Sequence, residues 1–104
     1  MFSTWSYETD QPLLLEALRE VASKFPATVY RAKGVIYASD APERRAVLHV
    51  VGRRVDISLA DTWDDRTPRT QIVVIGAAGA IDPETMRDRL ERCLGTPHQV
   101  VATR

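Results

Sequence analysis

The chain has 104 residues, with 14 Lys plus Arg against 14 Asp plus Glu and a formal net charge of zero. That length makes one domain burying roughly 65% of its unfolded surface, and the neutral balance gives no long-range field for nucleic acid or an anionic membrane. The single cysteine, Cys93, excludes an internal disulfide and fits a reducing, cytoplasmic setting; no apolar run reaches the roughly 20 residues of a bilayer span, and MFSTWSYETD lacks the regions of a signal peptide.

Residues 2–8 (FSTWSYE) have β-branched and aromatic composition and are read as a strand. TDQP follows as a helix start, with Asp10 as N-cap and Pro12 in the first turn. The helix then runs to about Phe25, its apolar Leu14, Ala17, Leu18, Val21 and Phe25 recurring at helical spacing until Pro26 stops it. Residues 29–38 (VYRAKGVIYA) form the next strand. Alternation puts Arg31 and Lys33 on one face with Val29, Val35 and Tyr37, and Tyr30, Ala32, Gly34, Ile36 and Ala38 on the other, where small residues let a helix approach.

After the polar turn 39–45 (SDAPERR), residues 46–59 (AVLHVVGRRVDISL) read as a hairpin in which Gly52-Arg53 is a two-residue type II′ loop. That register sets Val50 opposite Val55, Leu48 opposite Ile57 and Ala46 opposite Leu59 on an apolar face. Val51 opposite Arg54, His49 opposite Asp56 and Val47 opposite Ser58 make the mixed face. The acidic loop DTWDDRTP leads to a central apolar strand, residues 70–76 (TQIVVIG). A flexible GAAGA connection precedes the last helix, with Asp82 as N-cap, Pro83 at its first position, an inner stripe of Met86, Leu90, Cys93 and Leu94, and Gly95 as a left-handed stop. The tail TPHQVVATR reads either as a short edge strand or as frayed. Two helices for four or five strands are expected to cover one side of an antiparallel sheet, an α+β, ferredoxin-like open sandwich.

Several of these stretches carry a resemblance: Phe2-Ser3-Thr4-Trp5, the first helix, VYRAKGVIYA, the hairpin with VVGRR, Trp63, QIVVIG, and the last helix closing with Arg92-Cys93-Leu94. In this order they resemble the C-terminal domain of the CobW family, P-loop GTPases that act as metal chaperones or serve cobalamin synthesis and nitrile hydratase activation. The likeness spans nearly the whole chain. Its most specific element is Arg31-Ala32-Lys33-Gly34, supported by Gly52, Trp63 and Ile75-Gly76. It implies a small sheet with helices on one side, and partners in the N-terminal GTPase domain of the same parent protein and in a metal-receiving client.

A P-loop needs glycine amides, a Lys and a hydroxyl, and neither lysine here follows a glycine. The sequence has no asparagine for a guanine-reading Asn-Lys-x-Asp motif and one cysteine where a Cys-x-Cys-Cys metal motif needs three. The resemblance assigns these functions to a GTPase domain that residues 1–104 do not contain, and Met1 is compatible with a boundary inside a longer protein. The chain is expected to be non-catalytic and to need no cofactor.

Cys93, on an inward stripe, is read as a small core hydrophobe, and His98 as solvated. His49 opposite Asp56 offers two ligands where a zinc site wants three or four, so a cross-strand pair is preferred, with a metal-handover role as the alternative. Asp61, Asp64 and Asp65 lack the glycine and alternating donors of a calcium loop. Trp63 among them either folds back as a lid on the sheet edge, the preferred reading, or marks a contact surface. KGVIYA imitates only the start of an RNA-recognition strand, with Val35 and Tyr37 where stacking rings belong. The expected function is protein interaction and regulation, through a surface drawn from Arg31, Lys33, Tyr37, His49, Arg54, Asp56 and Trp63, with no nucleic-acid or membrane partner.

Overall fold

Alternating apolar and polar positions produce strands of eight or nine residues, and apolar residues three and four apart produce helices. The computed structural model describes residues 1–95. The order is β1 (Phe2–Thr9), α1 (Leu15–Ser23), β2 (Val29–Tyr37), β3 (Arg44–Val51), β4 (Arg54–Thr62), β5 (Thr70–Ala77) and α2 (Pro83–Glu91). The strands make one sheet in the order β1-β5-β2-β3-β4, each neighbour pair antiparallel. Both helices pack on one face of it, an α+β arrangement. The tail 96–104, with its two readings and His98, lies outside the described residues.

The core lies between helices and sheet: Leu18 and Ala22 of α1 and Met86 and Leu90 of α2 meet Tyr7, Ala32, Ile36, Leu48, Val50, Ile72 and Val74. Area burial of this kind stabilises by about 25 cal/mol per Å², and among the described residues the opposite face of the sheet is left uncovered. The hairpin has the register read from Gly52-Arg53, including His49 opposite Asp56 and Val51 opposite Arg54. Gly52 has φ 60°, and Arg53 is not in the positive-φ region, as a type II′ turn requires. Asp82 caps α2, its carboxylate accepting from the Glu84 amide at 3.3 Å and the Thr85 hydroxyl at 2.7 Å.

Four expectations change. First, β2 carries a bulge between Val29 and Arg31, where two residues oppose one step of β5. Val29 is therefore buried on the helix side and Tyr30 exposed on the other, the reverse of simple alternation. Second, Asp10 does not cap α1. The segment before the helix is drawn into the core instead: Leu13 is fully buried, its amide donating to Tyr37 O at 2.9 Å, and the Leu14 amide donates to Cys93 O at 2.8 Å. The helix starts only at Leu15, with no side-chain cap, and Leu14 is left exposed.

Third, Gly95 is not left-handed; Gly52 and Gly79 are the positive-φ glycines among the described residues. Gly95 instead lies close under the Leu14 side chain, which would have to shift for a Cβ that would otherwise lie 2.6 Å from its Cγ. Fourth, Gly34 makes room for β5 rather than for a helix: a Cβ would lie 2.3 Å from Gln71 O.

Candidate interaction surface

The uncovered face is laid out by the strand registers in rows that cross the sheet. One row reads Thr4, Ile75, Arg31, Val51, Arg54, and the next reads Ser6, Val73, Lys33, His49, Asp56. A third reads Glu8, Gln71, Val35, Val47, Ser58. Because β2 is the middle strand of five, Arg31 and Lys33 stand at the centre of the face, about 7 Å apart along the strand. Aliphatic side chains flank them: Val51 is 51% and Val73 40% exposed. A shallow depression of about 170 Å³ lies here, lined by Arg31, Lys33, His49, Val51, Val73 and Ile75 among others.

Several cations around the margin of the sheet are ion-paired. Arg45 reaches Asp61 at 2.8 Å, Arg66 reaches Asp61 at 3.4 Å, Arg69 reaches Glu8 at 2.7 Å and Arg54 reaches Asp56 at 3.7 Å. The Arg45 guanidinium, hydrogen-bonded to Asp61, holds that carboxyl below the usual carboxylate range. Among the described residues, neither Arg31 nor Lys33 has a carboxylate within 4.0 Å. At these exposures each peripheral pair contributes little to stability, but it does fix where charge is already compensated.

Of the expected surface residues, Arg31, Lys33, His49, Arg54 and Asp56 are brought together on the open face. Tyr37 lies at its far end beside Arg45 and is half-buried. Trp63 folds back as the lid: it is 7% exposed and meets Tyr37 edge-on, with ring centroids 6.3 Å apart. It packs against Tyr37 and, at that exposure, offers little contact area of its own. Among the described residues no group of three or more His, Cys, Asp or Glu side chains is gathered as a metal site. Cys93 is fully buried, its thiol donating to Arg89 O at 3.6 Å, and burial pushes its pKa up to about 11.

Sequence reasoning passed over Val73, Ile75, Phe2 and Tyr30. The run QIVVIG is apolar on both faces, so only Gln71 marks which alternate positions point outward. Tyr30 reaches the open side through the bulge and meets the exposed Phe2 edge-on, centroids 6.1 Å apart.

Comparison with known proteins fits this geometry. No curated protein matches the chain. Two solved structures resemble it over 90% of its length while it spans only 30% of theirs: a Zn(II)-bound triple mutant of the YjiA GTPase, with TM-score 0.77 and 21% identity, and Zn(II)-bound YjiA GTPase from E. coli, with TM-score 0.73 and 20% identity. At such identities the likeness establishes the fold. The family described as the cobalamin synthesis protein cobW C-terminal domain matches residues 2–94, a span that contains all five strands and both helices described above, and the chain belongs to that family.

Proposed function

We propose that this domain is a non-catalytic docking and regulatory module of a CobW-type GTPase, working in the cytoplasm in metal delivery or cobalamin synthesis. Its open sheet face would contact the GTPase domain of the same parent protein, and through it respond to nucleotide state, or contact a metal-receiving client. One observation carries the reading: a single-layered sheet whose bare side combines exposed Val51 and Val73 with two central cations lacking acidic partners among the described residues. Such a mixture of aliphatic area and charge is the composition of a protein interface. The family's name supplies the cobalamin link, and the Zn(II)-bound YjiA structures suggest the metal context.

The test is association of this chain, in trans, with the GTPase domain of its parent, followed by calorimetry. Val51→Asp with Val73→Asp is expected to weaken binding by about tenfold or more, since both positions are solvent-facing and the fold keeps its core. Unchanged binding by a folded double variant overturns the reading.

A further inference from the structure

We propose that the element received by this face is an acidic amphipathic helix, carrying two carboxylates one turn apart beside aliphatic side chains. The inference rests on the docking reading above and specifies the partner's chemistry.

Around the sheet's margin Arg45, Arg54 and Arg69 have carboxylates within 4.0 Å, while Arg44 and Arg53, at the end of β3 and in the hairpin turn, do not; among the described residues the central Arg31 and Lys33 have none either, and theirs are the unpaired charges that a partner lying on the middle of the face would cover. Covering Arg31 and Lys33 with a neutral or basic surface would strip their hydration and leave them unpaired, which is strongly unfavourable. A partner that covers the centre must therefore bring negative charge. Arg31 presents a planar fork suited to a carboxylate, and Lys33 a point charge about 7 Å further along the strand. On a helix, residues four apart place their Cβ atoms about 5–6 Å from each other, a spacing that long acidic side chains extend to this separation.

Val51 and Ile75 flank Arg31 in its row, and Val73 flanks Lys33 in the next. A bare inorganic anion would neutralise the cations and leave this aliphatic area wet, whereas an amphipathic segment covers both. On the open face the strands' amides and carbonyls are already engaged with neighbouring strands, so a segment lying across it must satisfy its own hydrogen bonds, as a helix does. A second copy of this face is disfavoured, because two-fold pairing centred on Arg31 and Lys33 would bring like charges together.

The experiment titrates the 104-residue chain with three probes and follows backbone amide shifts by NMR. They are a synthetic helical peptide with two glutamates four residues apart beside two leucines, the same peptide with glutamines, and sodium tripolyphosphate. The acidic peptide is expected to shift Arg31, Lys33, Val51, Val73 and Ile75, and to lose about tenfold or more in affinity when its glutamates become glutamines. Arg31→Gln with Lys33→Gln should cost a similar factor, and Arg31→Glu with Lys33→Glu should transfer the preference to a lysine version of the peptide. Equal binding of the glutamine peptide, tripolyphosphate competing as well as the acidic peptide, shifts on another surface, or no binding at millimolar peptide each overturns the inference. If these fail while association with the GTPase domain still depends on Val51 and Val73, docking stands and only the acidic helix is lost. If that association is also insensitive to Val51 and Val73, docking itself is lost.

Discussion

A methyl group placed on Gly34 would lie 2.3 Å from the carbonyl oxygen of Gln71 and 2.8 Å from the Cα of Ile72, both backbone atoms of the neighbouring strand. Neither can move without breaking the pairing of β2 with β5, the junction that joins the β1 side of the sheet to the β3–β4 hairpin. Gly34→Ala is therefore expected to cost about 3 kcal/mol or more, at the severe end of overpacking. Gly52→Ala meets no atom within 4 Å and suffers only the positive-φ penalty, so it should cost about 1 kcal/mol. Urea denaturation of the two variants checks the contrast, and comparable losses would refute the steric account.

Trp63 sets up a second contrast. Its ring is buried against Tyr37, yet its Nε1 has no hydrogen-bond partner among the described residues. Trp63→Phe removes a buried donor that makes no bond and should change stability by less than about 1.5 kcal/mol. Trp63→Ala, which opens a cavity at the end of β4, should cost about 3 kcal/mol. Thermal melts distinguish the two; equal destabilisation would mean that the indole N–H is engaged after all.

Alkaline pH should weaken the fold. Burial pushes the Cys93 thiol up to about 11 and raises the Tyr7 phenol above its usual value, with the Glu91 charge adding to it. Both groups are neutral when protonated, and the native state holds the proton more tightly than the unfolded chain. The stability this contributes is intact below the unfolded thiol value near 9 and is lost as pH rises through the folded value. Denaturation midpoints measured from pH 8 to pH 11 should fall, less steeply in Cys93→Ala. A flat profile would contradict the assignment.

Zinc titration bears on His49. This residue stands opposite Asp56 in the hairpin register, but among the described residues the two side chains make no ion pair within 4.0 Å; the carboxylate lies 3.7 Å from the Arg54 guanidinium instead, and two ligands do not complete a zinc site. Competition against a chromophoric chelator is expected to give the same weak affinity for the chain and for His49→Ala. A micromolar or tighter site lost in the variant would restore the metal-handover reading.

The sheet's two-sidedness was legible because two independent stretches stated it. The Gly52-Arg53 turn sets the hairpin register, and from that register every pairing from Ala46 to Leu59 follows. The capping of α2 was legible for a similar reason: Asp82-Pro83 is a local signal that needs no tertiary partner. What escaped were features decided by contacts distant in sequence. Strict alternation has no means of locating the extra residue at Tyr30, because a bulge depends on how β5 pairs. The start of α1 was misplaced because burying Leu13 against Ala38 and Leu94 overrides the cap offered by Asp10. Arg31 and Lys33 were placed on the right face, but which cations already have carboxylate neighbours is knowable only from the assembled sheet.

The extra residue in β2 has a consequence for chain-length variation. Shortening a regular strand by one position exchanges its inner and outer side chains, which a protein with one covered face does not survive. Without Tyr30, however, Val29 would join directly to Arg31, and the series Val29, Arg31, Ala32, Lys33 would run inward, outward, inward, outward without interruption. A deletion of that single aromatic residue should therefore be absorbed by the fold, at the loss of its edge-on contact with Phe2 and of the carbonyl that receives the Gly52 amide.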